Sequence, residues 1–386
     1  MTRHYVTSLL LTVSVSLISD HGIAQKPRGG TDTSARGAHI VRAHDRDGDG
    51  RLSLAEYPEK HRGKFNAVDT NGDGFIEPGE QAVFFNNVAQ RAGKGRQRGQ
   101  DQRRRMQRTA PAHADVEYGE HEKQRFDLWL AKSNKPTPLL IYIHGGGFRG
   151  GDKRGINNEL LKRMLESGVS FASFNYRLTD VGPYPMQMHD CARALQYIRH
   201  NAERYNIDPK RIGAFGGSAG SGISQWLAFH DDLADPDSDD PIARQSTRLV
   251  AAAPYNAQTS YDPRFIHELF NTTESHDALA AFFGMEEGDD INDPKFHPLF
   301  EDASPITHLT KDDPPIFFHY KQANSPLPEN SSGNQHIHHP KFGLVLKKKM
   351  DELGIECTVR LKKEAPQFPV DEVMEFFLRH FGMKTD

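Results

Sequence analysis

Five residues, Gly216-Gly217-Ser218-Ala219-Gly220, constrain this chain more than any other stretch. Ahead of them Ile212–Phe215 is a short apolar run suited to a buried strand, and behind them Ser221–Phe229 carries Ile223, Trp226, Leu227 and Phe229 at helical spacing. A strand that turns straight into a helix must bend sharply between them. Small residues on both sides of the serine suit such a bend, because a strained turn packed between strand and helix tolerates no bulk. The pattern G-x-S-x-G then leaves one hydroxyl, that of Ser218, exposed at the apex.

Further upstream, His144-Gly145-Gly146-Gly147-Phe148 follows the apolar run Leu139–Ile143. Three consecutive glycines present backbone N–H groups with no side chain in the way. Gly146 and Gly147, together with Ala219 after the serine, are the expected donors to an oxygen that becomes negatively charged. A phosphate-binding loop is the other reading of such a stretch, but the G-x-G-x-x-G spacing is missing and no Lys-Ser/Thr follows.

From Asp115 to Asp386 strand and helix signals alternate. Strands are expected at Arg125–Ala131, Leu139–Ile143, Val169–Phe174, Ile212–Phe215, Leu249–Ala253, Ile316–Tyr320 and Cys357–Leu361, and helices at Gly155–Gly168, Gln187–Tyr205, Lys341–Leu353 and Val370–Phe381. Such alternation argues for a mostly parallel sheet with helices on both faces. Given the two glycine-rich motifs in this order, the segment 115–386 resembles the α/β-hydrolases, closest to the HGGG esterases and lipases of hormone-sensitive-lipase type. The resemblance implies an ester hydrolase with Ser218 as nucleophile, acting on a small-molecule or polysaccharide ester. It also implies that Tyr255–Leu309 covers an acyl pocket; Phe265, Phe270, Phe282 and Phe283 there are equally readable as core.

In the resembling enzymes an acid follows the seventh strand and a histidine follows the last. Here those positions read Asn324 and Gln367. Glutamine cannot take a proton from serine near neutral pH. The substitutes are His338 or His339, ahead of the helix that Pro340 begins, and Asp262 as a relocated acid. Two functions stay open on this reading: a serine esterase with a displaced base, or a catalytically inactive member of the fold that binds a ligand.

Residues 39–90 hold a repeat of another kind. Asp45, Asp47, Asp49 and Glu56 stand at positions 1, 3, 5 and 12 of D-x-[DN]-x-[DN]-G-x5-E, with Arg51 at the backbone-carbonyl position 7; Asp69, Asn71, Asp73, Phe75 and Glu80 repeat the set. The stretch resembles an EF-hand pair, which implies two Ca²⁺ sites in a small all-α domain. Pro58 interrupts the helix between the loops, so a compact variant is expected.

Met1–Ala24 reads as a secretory signal, with Arg3 and His4 before the apolar Val6–Ile18 and small residues at Gly22 and Ala24. The expected organisation is therefore a signal peptide (1–24), an EF-hand pair (35–90), a linker (91–114) and the hydrolase-like domain (115–386), in an exported protein, periplasmic or secreted. The linker carries eight Lys/Arg against Asp101 alone, which suits a solvated spacer or a contact with polyanions. A net charge of −4 predicts no nucleic-acid partner, and no apolar run is long enough for stable membrane insertion. Cys191 and Cys357 form no disulfide framework; a single bridge between them stays open.

Overall fold

The computed structural model describes residues 33–84, 109–328 and 331–384. The stretches read as signal peptide and most of the basic linker lie outside them. The chain divides into two compact units, Met1–Gln107 and Arg108–Asp386.

In the first unit α1 (Thr33–His44) leads into the first acidic loop and β1 (Leu52–Ser53). After Pro58 the chain makes a 3₁₀ turn, Glu59–Lys64, and the short α2 (Phe65–Val68); the second loop, β2 (Phe75–Ile76) and the helical α3 (78–84) follow. The expected interruption at Pro58 thus leaves a 3₁₀ stretch of six residues and an α-helix of four between the loops. Leu52 pairs with Ile76 and Ser53 with Phe75 in an antiparallel bridge between the loops. Below it Val41, Leu52, Phe65, Val68 and Ile76 are buried in one cluster, with Tyr57 edge-on to Phe65. Each removes apolar surface from water at about 25 cal/mol per Å², which is how a unit this small holds a core.

The second unit opens with β3 (His113–Glu117), β4 (Arg125–Trp129), β5 (Thr137–Ile143), α4 (Asn158–Glu166), β6 (Ser170–Phe174), α5 (Met186–His200), β7 (Ile207–Gly217) and α6 (Ala219–Phe229). Then come β8 (Ala251–Tyr255), α7 (Pro263–Phe270), α8 (Ala278–Phe283), α9 (His297–Ala303), α10 (Pro305–His308) and β9 (Ile316–His319). It ends with α11 (Gly333–His336), α12 (Lys341–Leu353), β10 (Cys357–Arg360) and α13 (Val370–His380). Eight strands form one sheet in the order β10-β9-β8-β7-β5-β6-β4-β3. All pairs are parallel except the two made by β4, with β3 and with β6. Strand β3 was not anticipated, and it begins at His113, inside the stretch read as linker. Its burial alternates irregularly, so it carries no clear apolar period.

The central strands β5 and β7 pair from Leu139–Ile212 to Ile143–Gly216. Every residue of β5 is buried, as a parallel strand covered on both faces requires. One core cluster fills the face towards α5 and α6, the other the face towards α4 and α13. Both cysteines are buried free thiols, Cys191 in α5 and Cys357 in β10. Burial pushes both thiols up, Cys357 to about 12, so neither ionises near neutral pH. Among the described residues no helix is long and apolar enough to cross a membrane.

Candidate active site and acidic loops

The bend after β7 places Ser218 at φ 53°, ψ −122°, a conformation that costs a non-glycine residue about 1–3 kcal/mol. Surrounding contacts impose it. The Ser218 N–H donates to the Tyr255 carbonyl (3.1 Å), while the Ser218 carbonyl accepts from the N–H groups of Ser221 (2.8 Å) and Gly222 (3.2 Å) and from the Ser221 hydroxyl (2.5 Å). Gly220 is required by close approach, since a Cβ there would stand 2.1 Å from the Ile143 carbonyl oxygen.

Across the strand end, His144 is buried and stacks on Tyr176, ring centroids 4.3 Å apart and 13° from parallel. The Tyr176 hydroxyl donates to the His144 carbonyl (2.9 Å), and His144 Nδ1 donates to the carbonyl of Gly145 (2.8 Å). These contacts fix where the glycine run begins. Gly146 has φ 119°, and a Cβ on it would meet the Gly150 carbonyl oxygen at 2.3 Å, so no other residue fits. Among the described residues no acceptor takes the N–H groups of Gly146, Gly147 or Ala219. Three free donors beside a serine hydroxyl suit an oxyanion.

His338 approaches from the turn between α11 and α12, its Nε2 2.9 Å from Ser218 Oγ. Burial, and next the neighbouring His276, hold this imidazole below its ordinary value of about 6.5, so it is neutral and able to accept a proton at neutral pH. The turn is anchored by Gln258, whose buried side-chain amide donates to the carbonyls of Ile337 and Asn256. His276 also lines the pocket beside the serine. Its Nδ1 accepts from the Ala278 N–H (3.1 Å), so its Nε2 carries the proton and donates to Asn334 Oδ1 (2.7 Å). Neither Gln258 nor His276 was singled out in the sequence, where a lone polar residue in a long insertion has no spacing to mark it.

Three of the expected site residues lie elsewhere. His339 is buried and committed on both nitrogens: Nδ1 accepts from the Lys341 N–H (3.2 Å) and Nε2 donates to the Ser325 carbonyl (2.9 Å). It caps the entry to α12 and is not the partner of Ser218. Asp262 is the N-cap of α7, accepting from the Arg264 N–H (2.9 Å) and pairing with the Arg264 guanidinium (2.6 Å), so it is no relocated acid. Asn324 is exposed and makes no hydrogen bond to His338. Gln367 is exposed as well. Among the described residues no carboxylate accepts from His338 Nδ1.

A pocket of about 30 Å³ opens beside Ser218, walled by Phe148, Tyr261, Ile266, Ala278 and Leu279. Phe265, Phe270, Phe282 and Phe283 do not line it; all four pack into the main core. Phe282 acts from behind, stacked on Phe148 with centroids 4.1 Å apart.

In the first unit each acidic loop winds around its own first aspartate. Asp45 accepts from the N–H groups of Gly48 (2.7 Å) and Gly50 (2.9 Å), and Asp69 from those of Gly72 (2.7 Å) and Gly74 (3.0 Å). Asn71 Oδ1 and Asp73 Oδ1 accept from the next N–H but one, at 2.9 Å each. One carboxylate oxygen from each of Asp45, Asp47 and Asp49 falls within 4.8 Å of the others. The closing glutamates reach back across the loops. Glu56 accepts from the Arg46 N–H (2.9 Å) and the Ser53 N–H (3.0 Å), which hold its carboxyl down to about 2; Glu80 accepts from the N–H groups of Thr70 (2.7 Å) and Glu77 (3.1 Å). The Arg51 guanidinium lies on Asp49 (3.0 Å) and over the Phe75 ring (3.9 Å), so Arg51 and Phe75 offer the loops only their backbone carbonyls.

Sheet order, bend and glycine run together define an α/β-hydrolase fold. The family model BD-FAE matches residues 126–336, more than half of the chain, and the chain belongs to this hormone-sensitive-lipase-like family. An EF hand model matches residues 64–80. Two relatives from Mycobacterium tuberculosis are the probable carboxylic ester hydrolase LipM, 28% identical over 58% of this chain and 51% of that protein, and the esterase LipQ, 27% identical over 58% and 52%. The chain spans about half the length of these curated relatives. Among solved structures, a truncated carbohydrate esterase from gut microbiota superposes with a TM-score of 0.55 at 20% identity, covering 71% of this chain and 100% of its own. An acetyl ester-xyloside bifunctional hydrolase from Caldicellulosiruptor lactoaceticus gives 0.55 at 20%, covering 72% and 99%. At that identity the likeness speaks for the fold alone.

Proposed function

We propose that the second unit is a serine carboxylesterase of the HGGG type, acting on esters of short acyl groups carried by a small molecule or a polysaccharide. The observation that carries this is the 2.9 Å approach of His338 Nε2 to Ser218 Oγ, beside three backbone N–H groups that have no acceptor among the described residues. Ser218 Oγ attacks the acyl carbon as its proton passes to His338 Nε2. The carbonyl oxygen becomes an oxyanion held by Gly146, Gly147 and Ala219. His338 returns the proton to the leaving alkoxide, and water, activated by the same imidazole, then releases the acid and restores Ser218. With no carboxylate on Nδ1 among the described residues, the imidazolium formed on the way is stabilised less than in a full triad. Relatives named as esterases support the reading. With p-nitrophenyl acetate as substrate, Ser218→Ala is expected to remove hydrolysis; retention of full activity would reject the assignment.

We also propose that the first unit binds two Ca²⁺. Asp45, Asp47, Asp49 and Glu56 would hold one, with the Arg51 carbonyl; Asp69, Asn71, Asp73 and Glu80 the other, with that of Phe75. The fit rests on the donor chemistry, hard oxygens gathered around tight glycine turns, which suits this cation. Calorimetric titration of the full chain is expected to give two equivalents, falling to one in Asp45→Ala. A wild-type protein that binds no calcium at millimolar concentration would contradict this reading.

A further inference from the structure

A separate group of ligating side chains sits at the far end of α6, about 16 Å of helix away from Ser218. His230 is the C-cap of α6, and its Nδ1 lies 2.9 Å from the Asp231 carbonyl. A carbonyl can only accept, so the neutral ring carries its proton on Nδ1 and presents its lone pair at Nε2, the tautomer in which imidazole binds a metal through Nε2. That Nε2 lies 3.9 Å from Asp302 Oδ1, at the end of α9; His308 Nε2, at the end of α10, lies 4.0 Å from the same oxygen. One ligand atom from each of the three residues falls within 4.8 Å of the others. Asp302 is oriented for the purpose: its Oδ2 accepts the Tyr184 hydroxyl, leaving Oδ1 to face the two histidines.

We propose that His230, Asp302 and His308 form a binding site for a divalent transition ion, with Zn²⁺ the best match. Two imidazoles and one carboxylate are the donors of a tetrahedral site whose fourth position belongs to water, whereas calcium takes oxygen alone. Bonds of about 2.0–2.1 Å set tetrahedral ligands roughly 3.3 Å apart, so each histidine–Asp302 pair, now at 3.9 and 4.0 Å, closes by less than about 1 Å. The Asp302 side chain is half exposed, held on one oxygen by Tyr184 with the other left to approach the ion. His308 Nε2 now donates to the Asp302 carbonyl (2.7 Å); coordination transfers its proton to Nδ1, with no net proton released. The carbonyl does not lose its last donor, because Trp226 Nε1 also bonds to it (3.0 Å). The ion would cross-link α6, which starts at the serine, to the α9–α10 segment of the insertion. It would act as a tether rather than in the reaction.

Co²⁺, whose visible absorption reports tetrahedral ligation, is the probe, added to the full chain with calcium in excess so that the acidic loops are filled. One equivalent is expected to produce the tetrahedral spectrum, and Zn²⁺ to displace it and raise the melting temperature. His230→Ala and His308→Ala should each weaken binding by tenfold or more, while p-nitrophenyl acetate hydrolysis in the absence of metal stays at the wild-type level. Asp302→Asn, on the exposed member, gives the same readout should either histidine variant fail to fold. Glu56→Gln with Glu80→Gln should leave the Co²⁺ spectrum intact. Absence of the spectrum in wild type, or unchanged affinity in all three site variants, would overturn the proposal.

Discussion

His338→Ala is expected to lower kcat/KM for p-nitrophenyl acetate by about 10²–10⁴, the range for loss of a general base, while His339→Ala acts mainly on stability. The two histidines are neighbours in the chain, yet only His338 reaches Ser218; His339 spends its nitrogens on Lys341 and Ser325. The pH profile supplies an independent reading. Burial lowers the His338 value, so the base stays neutral as pH falls past the ordinary imidazole value near 6.5. The acid limb of kcat/KM should have its midpoint below that value, with activity lost only on further acidification. A midpoint clearly above 6.5, or equal kinetic losses in the two variants, would mean that the base is another group.

The second large effect concerns acyl length. The pocket beside Ser218, about 30 Å³, is small and closely walled, which suits an acetyl group better than a hexanoyl chain. Each extra methylene could contribute about 0.8 kcal/mol if buried, but forcing it between Tyr261, Ile266 and Leu279 costs about 1–3 kcal/mol by overpacking. Specificity should therefore favour acetyl over hexanoyl p-nitrophenyl esters by roughly 10²-fold in kcat/KM. Leu279→Ala, which removes part of the wall, should shift the preference towards longer chains. A wild type that prefers hexanoate would show that this pocket does not receive the acyl group.

How much of this was legible before the structure depends on whether a feature is local. The bend at Ser218 and the run at Gly145–Gly147 were readable because backbone sterics exclude larger residues at Gly146 and Gly220. The acidic loops were readable for a related reason, with glycines at positive φ at the fourth and sixth positions of each, Gly48 and Gly50 in one and Gly72 and Gly74 in the other. Six of the expected strands came within two residues, since buried strands are continuous apolar runs; the elbow strand β7 starts at Ile207, five residues before the expected Ile212, through a partly exposed Asp-Pro-Lys-Arg stretch, and β3, irregular and partly exposed, gave no such signal. The choice between His338 and His339 depends on which way a turn directs two adjacent rings, and Gln258 decides that from about eighty residues away. Asp262 illustrates the opposite error. An aspartate after the strand Leu249–Ala253 in a resembling fold suggested a relocated acid, whereas the local rule, aspartate as N-cap with proline at N1, describes what it does.

The two cysteines bear on where such a chain can fold. Cys191 lies in a helix and Cys357 in an edge strand, each sealed in apolar packing and each held as the protonated thiol. Nothing in the fold waits on an oxidant, and nothing in it is undone by a reductant. Reducing cytoplasm and oxidising exterior therefore present this chain with the same covalent molecule, and its native state can be reached on either side of a membrane without a disulfide catalyst.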